Sequence, residues 1–271
     1  MHTFGLLHTT IRGDEKLIME AAKTHNVNIQ LIDVRTQLFD PLTYKPNFDI
    51  ALERCISTTK GIYAQQFMEQ MKIPVVNNVK VSTLCEDKFL TSCTLAKAKI
   101  PTPRSALVFT IEQASQAIEE FGGYPIVIKP PKGSWGRLLA KINDQDALEA
   151  ILEHKDVLGS PDQKAIYIQQ FVNKPGRDIR AFVIDGISIA AIYRNSQHWI
   201  TNTARGGIAT NCPITTELST ICKNASNAIG GGVLAMDIFE TDEGLLINEI
   251  NHTMEFKNSE NPTGVSISRA I

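Results

Sequence analysis

Apolar positions along this chain recur in two alternating periods, and that alternation predicts its elements. Residues 3 to 7 form a short apolar run that reads as a strand; Leu17, Ile18, Ala21 and Ala22 share one face of a helix over 14 to 25; residues 28 to 34 read as a second strand. The order repeats as a strand from Asp49 to Cys55, a helix from Thr58 to Met71 and a strand from Ile73 to Asn77. Such a series predicts a β/α lobe on an open parallel sheet. The polar stretch Lys80 to Asp87 closes it, so the first lobe is expected to span residues 1–82.

A second lobe, 83–164, is expected to open with a helix from Thr83 to Lys97. That helix stops at Ile100-Pro-Thr-Pro103, where each proline forces its predecessor out of the α region. An extended segment, a helix over Ile111 to Phe121, and a strand, glycine-bearing loop and strand over Tyr124 to Ile142 follow. A third lobe, 165–271, begins with a strand from Ala165 to Val172. It continues through strands at Ile179 to Ile184 and Ile187 to Tyr193 around an Asp185-Gly186 turn, then a helix from Thr215 to Ile229 stopped by Gly230-Gly-Gly232.

The hairpin Asp237-Ile-Phe-Glu-Thr-Asp-Glu-Gly-Leu-Leu-Ile-Asn-Glu-Ile-Asn251 breaks the apolar pattern. Strand alternation puts Glu249 and Asn251 on the face of Leu245 and Ile247. A turn with an odd number of residues centred near Glu243 sets Asp237 across from Glu249. Two carboxylates and an amide oxygen that close suit a hard divalent cation such as Mg²⁺. The same pattern also fits an ordinary amphipathic hairpin with a solvated acidic face.

Composition narrows the class. With 271 residues, 43% of them hydrophobic, the chain can bury a large core in more than one lobe. A net charge of −2 carries no bulk basic field, so nucleic acid is not an expected partner. Five cysteines, odd in number and without a C-x-x-C pair, argue against a disulfide framework or a zinc site and for a reduced, cytoplasmic setting. No apolar run approaches the roughly 18 residues of a membrane span.

Local basic residues then carry the chemistry. Lys129 ends an apolar strand beside the loop Lys132-Gly-Ser-Trp-Gly-Arg137, whose glycines Gly133 and Gly136 allow backbone N–H groups to approach an anion. A plain hairpin turn explains the same loop, and neither a Walker loop nor a dinucleotide fingerprint is present. Arg180 and Arg194 on neighbouring strands call for an anionic ligand or for carboxylate partners. Arg54 ends a strand on the side where such sheets bind ligands, although a surface arginine reads the same way.

In order, Asp87-Lys88, Val127-Ile-Lys129 with its glycine loop, Gln169-Gln-Phe-Val172, Asp178-x-Arg180, Asn202-x-x-Arg205-Gly-Gly, Asp237 and Glu249-x-Asn251 form a series. It resembles that of the ATP-grasp carboxylate–amine ligases, RimK-like branch. The stretches Trp199 to Gly207, Asn211-Cys-Pro213 and Asn248 to Asn258 are similar to those of the members that join α-aminoadipate to the carrier protein LysW. The resemblance implies an ATP-grasp fold of mixed α/β class, with two antiparallel-sheet lobes clasping ATP behind the N-terminal lobe.

It implies that Lys88 and Lys129 take phosphates, that Lys132, Gly133, Ser134, Trp135, Gly136 and Arg137 cover them, and that Gln169, Gln170, Phe171 and Val172 meet the nucleotide. Asp178 would lie near the ribose, with Asn202 also at the nucleotide. Asp237, Glu249 and Asn251 would hold Mg²⁺, while Arg180, Arg194 and Arg205 would steady the γ-phosphate and the reacting carboxylate. The substrate set implied is Arg54, Arg194, Asn202, Thr203, Thr253, Glu255, Phe256 and Lys257, with Arg54 a docking residue for an acidic LysW-like carrier protein. An amino-acid substrate, α-aminoadipate or glutamate, and a homo-oligomer complete the expectation. A nucleotide-binding module without turnover would have lost metal oxygens or phosphate lysines, and a dehydrogenase would show more than the single glycine of His8-Thr-Thr-Ile-Arg-Gly13.

Overall fold

A computed structural model describes residues 2–133, 138–159, 164–201 and 206–271. Its N-terminal lobe is a parallel sheet in the order β2-β1-β3-β4, formed by Thr3–His8 (β1), Asn28–Asp33 (β2), Ile50–Glu53 (β3) and Val75–Val76 (β4). Helix α1 (Gly13–Thr24) follows β1 and helix α2 (Thr58–Gln70) follows β3. Leu7, Ala51, Ala64 and Met68 form the core between α2 and this sheet. The second β/α unit therefore closes on the first as the repeated apolar pattern requires.

The helix expected over 83–97 is two helices, α3 (Val79–Glu86) and α4 (Lys88–Lys97). Asp87 breaks it: in an extended conformation, its Oδ1 accepts from the N–H groups of Phe89 at 3.0 Å and Leu90 at 3.1 Å, starting a new helix. A short acceptor side chain competes with helix continuation in this way. As a result Lys88 is the first residue of α4, where it can leave the helix for the site.

The central sheet, order β5-β8-β6-β7, is antiparallel and contains Ser105–Val108 (β5), Ile126–Lys129 (β6), Ala140–Ile142 (β7) and Ile166–Gln170 (β8). Helices α5 (Ile111–Glu120) and α6 (Gln145–Leu158) supply its core through Ala114, Ile118, Leu148 and Leu152. Two features correct the expected lobe boundaries. Strand β8, assigned above to the third lobe, pairs with β5 and β6 in the central sheet. Cys85 and Leu95 of α3 and α4, assigned to the central lobe, and Val81, assigned to the first, pack in the core of the C-terminal sheet.

That third sheet runs β11-β10-β9-β12-β13, from Arg177–Ile184 (β9), Ile187–Asn195 (β10), Ile208–Asn211 (β11), Val233–Thr241 (β12) and Gly244–Asn251 (β13). Helix α7 (Thr216–Ile229) covers one face and ends at Gly230, whose φ of +114° is the left-handed stop that glycine permits. The other face, through Phe182, Ile192 and Ala235, shares a core with Ile18 of α1, Met254, Phe256 and Ile267. Ile267 belongs to α9 (Ile267–Ala270), which follows the short α8 (Glu260–Thr263). All three sheets are thus joined by packed apolar contacts or short connections around one crevice.

Candidate active site

The β12–β13 hairpin pairs Asp237 with Glu249, but not through the turn the sequence suggested. The turn holds two residues between the paired Thr241 and Gly244, and the register shifts at Asn248, an extra residue between the Ile238–Ile247 and Asp237–Glu249 pairs. This bulge also corrects the facing of the strand. Ile247 and Ile250 both enter the α7-side core, whereas Asn248, Glu249 and Asn251 line a cavity on the other face. Bulges characteristically redirect side chains next to sites, and without this one Glu249 would point into the core.

That cavity, of about 180 Å³, lies where the three sheets meet. From the central lobe come Lys129 at the end of β6, Gly133 after it, and Gln169, Gln170, Phe171 and Val172 at and beyond the end of β8. Lys88 reaches in from the start of α4, its Nζ donating to the carbonyl of Gly133 and standing 3.5 Å from Glu249. Lys129 is buried at 4% exposure and donates to Asn248 Oδ1 at 3.1 Å. Burial, with the nearby charge of Lys88 adding, pushes its amine down to about 8, while Glu249 works in the opposite sense. The protonated fraction needed to hold an anion is therefore full below pH 7 and falls as pH rises through about 8. Nucleotide affinity should decline across pH 7 to 9, and Lys129→Arg, which cannot deprotonate there, should flatten that slope. Equilibrium titration of ATP at several pH values checks this; an equal slope in both proteins would place the titrating group elsewhere.

Behind the hairpin is a buried charge cluster. Arg194 donates from Nε and Nη2 to the two oxygens of Asp178, each at 2.7 Å, and its Nη2 is 3.2 Å from Asp237. Arg180 grips Asp237 in the same forked way, at 2.8 and 3.0 Å. Burial would raise the Asp237 carboxyl, but the guanidiniums of Arg180 and Arg194 overcome it and hold the group at about 2. Lys174, which sequence reading missed, adds a third cation: its amine donates to Thr201 at 2.8 Å, stands 3.6 Å from Asp178 and lies over the ring of Phe239. Its only signal in the sequence is the four-residue spacing to Asp178 across a Pro-Gly turn, which reads as surface.

Several expected residues lie elsewhere. Arg54 is buried at 2% exposure, with its Nε on Glu15 at 3.0 Å and its guanidinium over the ring of Phe256, so it is not a surface docking residue. Phe256 is buried beneath it, and Lys257 and Lys132 do not line the cavity; Lys132 is exposed, and its backbone pairs with Asp87 in an isolated antiparallel β-bridge. Thr253 and Glu255 do line it. Ser134, Trp135, Gly136, Arg137, Asn202, Thr203 and Arg205 lie outside the described residues. Arg12 and Asn248 are lining residues that sequence reading missed, because a loop arginine and a strand asparagine carry no periodic signal.

The donor set suits a hard cation. Asn251 has a buried amide Nδ2 without a hydrogen-bond partner, and exchanging the amide nitrogen and oxygen would put an acceptor at that orphaned position beside Glu249. With Asp237 across the ladder this gives oxygen ligands only, the preference of Mg²⁺.

Residues 85–271 match the RimK-like ATP-grasp domain, and residues 4–84 the LysX preATP-grasp domain. The chain belongs to the RimK-like ATP-grasp ligases. Among relatives in this carboxylate–amine ligase family is an alpha-aminoadipate–LysW ligase, LysX, of Saccharolobus solfataricus, 35% identical over 264 residues that cover 96% of each protein. A glutamate–LysW ligase, ArgX, of Sulfurisphaera tokodaii is 30% identical across 98% of this chain and 95% of its own. The crystal structure of a RimK domain ATP-grasp protein from Sphaerobacter thermophilus superposes with a TM-score of 0.82 at 25% identity, covering 98% of this chain and 97% of that one. ATP-grasp ligases use ATP with Mg²⁺, and the lysines, arginines and oxygen ligands gathered here suit phosphoryl chemistry, which needs positioning and charge neutralisation above all. No helix among the described residues is long and apolar enough to cross a membrane.

Proposed function

We propose that this chain joins the α-amine of α-aminoadipate to the side-chain carboxylate of the C-terminal glutamate of a LysW-like acidic carrier protein, using ATP and Mg²⁺. The observation that carries the reading is the convergence of Lys88, Lys129 and the oxygens of Asp237, Glu249 and Asn251 on one cavity that the N-terminal lobe walls. The carrier carboxylate attacks the γ-phosphate, ADP leaves, and the acylphosphate is attacked by the amine with loss of phosphate. Lys88 and Lys129 would oppose the phosphate charge. Asp237, Glu249 and Asn251 would hold Mg²⁺, which neutralises charge on the transferring phosphoryl group. Arg194, with donors already committed to Asp178 and Asp237, orients the acids, while the more open Arg180 has an edge left for the anion.

Glutamate is the second reading, and the specific observation behind it is the comparable likeness to a glutamate–LysW ligase. ADP release by the purified protein, measured with the carrier and each amino acid in turn, separates the two. Release should require both carrier and amino acid and be faster with α-aminoadipate; faster release with glutamate selects the second reading, and release that needs neither sinks both.

A further inference from the structure

The N-terminal sheet reverses its direction of winding between β1 and β3, since the chain goes from β1 to β2 on one side and returns to β3 on the other. Open parallel sheets bind ligands outside the carboxyl ends of their strands at such a reversal. The segments leaving these two strands form one wall of the cavity, Arg12 after β1 and Cys55, Ile56 and Thr58 after β3. Thr253 and Glu255, following β13, join them.

On this wall Arg12 stands in an uneven pair of carboxylates. Its Nε and Nη2 donate to the two oxygens of Glu15 at 3.0 and 2.8 Å, and Nη1 donates to Glu255 at 2.8 Å. Glu15 is fully buried and is held in turn by Arg54 Nε at 3.0 Å, so it fixes the plane of the Arg12 fork. The side chain of Glu255 is 40% exposed and can turn away. Arg54 itself does not line the cavity; buried and tied through Nε to Glu15, it bears on the Arg12 fork through that carboxylate.

A free α-amino acid carries a carboxylate and an ammonium on one carbon, the complement of an Arg–Glu pair. We infer that Arg12 and Glu255 are the amino-acid receptor of the ligase: the substrate's α-carboxylate takes the Nη1 edge of Arg12, and Glu255, released from it, takes the α-ammonium and accepts the proton that the nitrogen gives up before it attacks as the free amine. The inference rests on the proposed ligase function. One internal ion pair is exchanged for two across the ligand, so no charge is left buried and unpaired. A carboxylic acid without the amine would strand Glu255. Because the receptor holds only the α-carbon groups, it reads the substrate as an amino acid and leaves chain length to other residues. Glu15 and Arg54 are positioning residues for it.

Steady-state ADP release with the carrier tests this in Arg12→Gln and Glu255→Gln. Each should raise KM for the amino acid at least about tenfold, the loss expected when a charge-assisted bond is removed. KM values for ATP and carrier should stay within about twofold. Where wild type accepts both α-aminoadipate and glutamate, the two KM values should rise together. Glu255→Gln is the safer variant, since its exposed side chain can be changed without disturbing the buried Glu15. An unchanged amino-acid KM in folded Glu255→Gln, or an effect on one amino acid alone where both are used, overturns the receptor. Wild-type ADP release without dependence on amino acid would instead overturn the ligase reading beneath it.

Discussion

Glu249→Ala should lose about a thousandfold in kcat/KM for ATP while its thermal midpoint stays close to that of wild type. The chemistry of the loss follows from the hairpin bulge, which sets Glu249 and Asn248 on the cavity face together. Removing the carboxylate leaves Asp237 and Asn251 as the remaining expected metal oxygens, and Asp237 is already engaged by Arg180 and Arg194. An ion held so weakly neutralises little charge on the transferring phosphoryl group; a loss of about 4 kcal/mol in transition-state stabilisation corresponds to the thousandfold figure. The small change in stability has a separate reason. Glu249 is partly open, its ion pair with Lys88 is 3.5 Å long, and Lys88 keeps the Gly133 carbonyl as acceptor. Kinetics across a Mg²⁺ series together with thermal melts check both halves. Near-normal turnover at low Mg²⁺ in the folded variant would remove Glu249 from the metal site.

Glu249 also shows how far a sequence discloses a site. Its type, its break from the apolar pattern and its position across from Asp237 are all readable from residues 237 to 251. The bulge is not, because an inserted residue leaves composition and turn signals unchanged. The two-residue turn and the shift at Asn248 together give the pairing that an odd turn was expected to give. The apolar runs of β1, β6 and β9 disclose strands because burial dictates their composition, yet they do not disclose partners. Ile166–Gln170 could pair in either antiparallel sheet by its own sequence, and only the fold puts it between β5 and β6. Arg54 failed for a related reason. A strand-ending arginine looks exposed until helix α1 places Glu15 against it, 39 positions away in the chain. Asp87 failed locally, since an aspartate inside a helical pattern can be a solvated side chain or a new cap, and the choice depends on where the chain must turn.

Arg194→Met should lower the thermal midpoint far more than Glu249→Ala, although Met preserves much of the aliphatic stem. Arg194 is 2% exposed and is shared by two carboxylates, Asp178 and Asp237, that are themselves buried. Taking it away leaves Asp178 with Lys174 at 3.6 Å and the Thr201 hydroxyl at 2.5 Å, and leaves Asp237 with Arg180. Removing one member of a buried ion pair costs about 3–5 kcal/mol, because the survivor remains desolvated. At roughly 2–4 °C per kcal/mol for a chain of this size class, the midpoint should fall by roughly 6–20 °C. The pH dependence identifies the cause. Asp237 is held at about 2 by Arg180 and Arg194, against about 3.9 in the unfolded chain. A carboxyl depressed in this way contributes stability that is complete above the unfolded value and is lost as pH falls toward about 2. Without Arg194 the depression is smaller, so the gap in midpoint between wild type and variant should be widest near pH 6 and narrow as pH is brought to 3. A gap that is constant over that range would mean that lost packing, and not the buried carboxylates, accounts for the destabilisation.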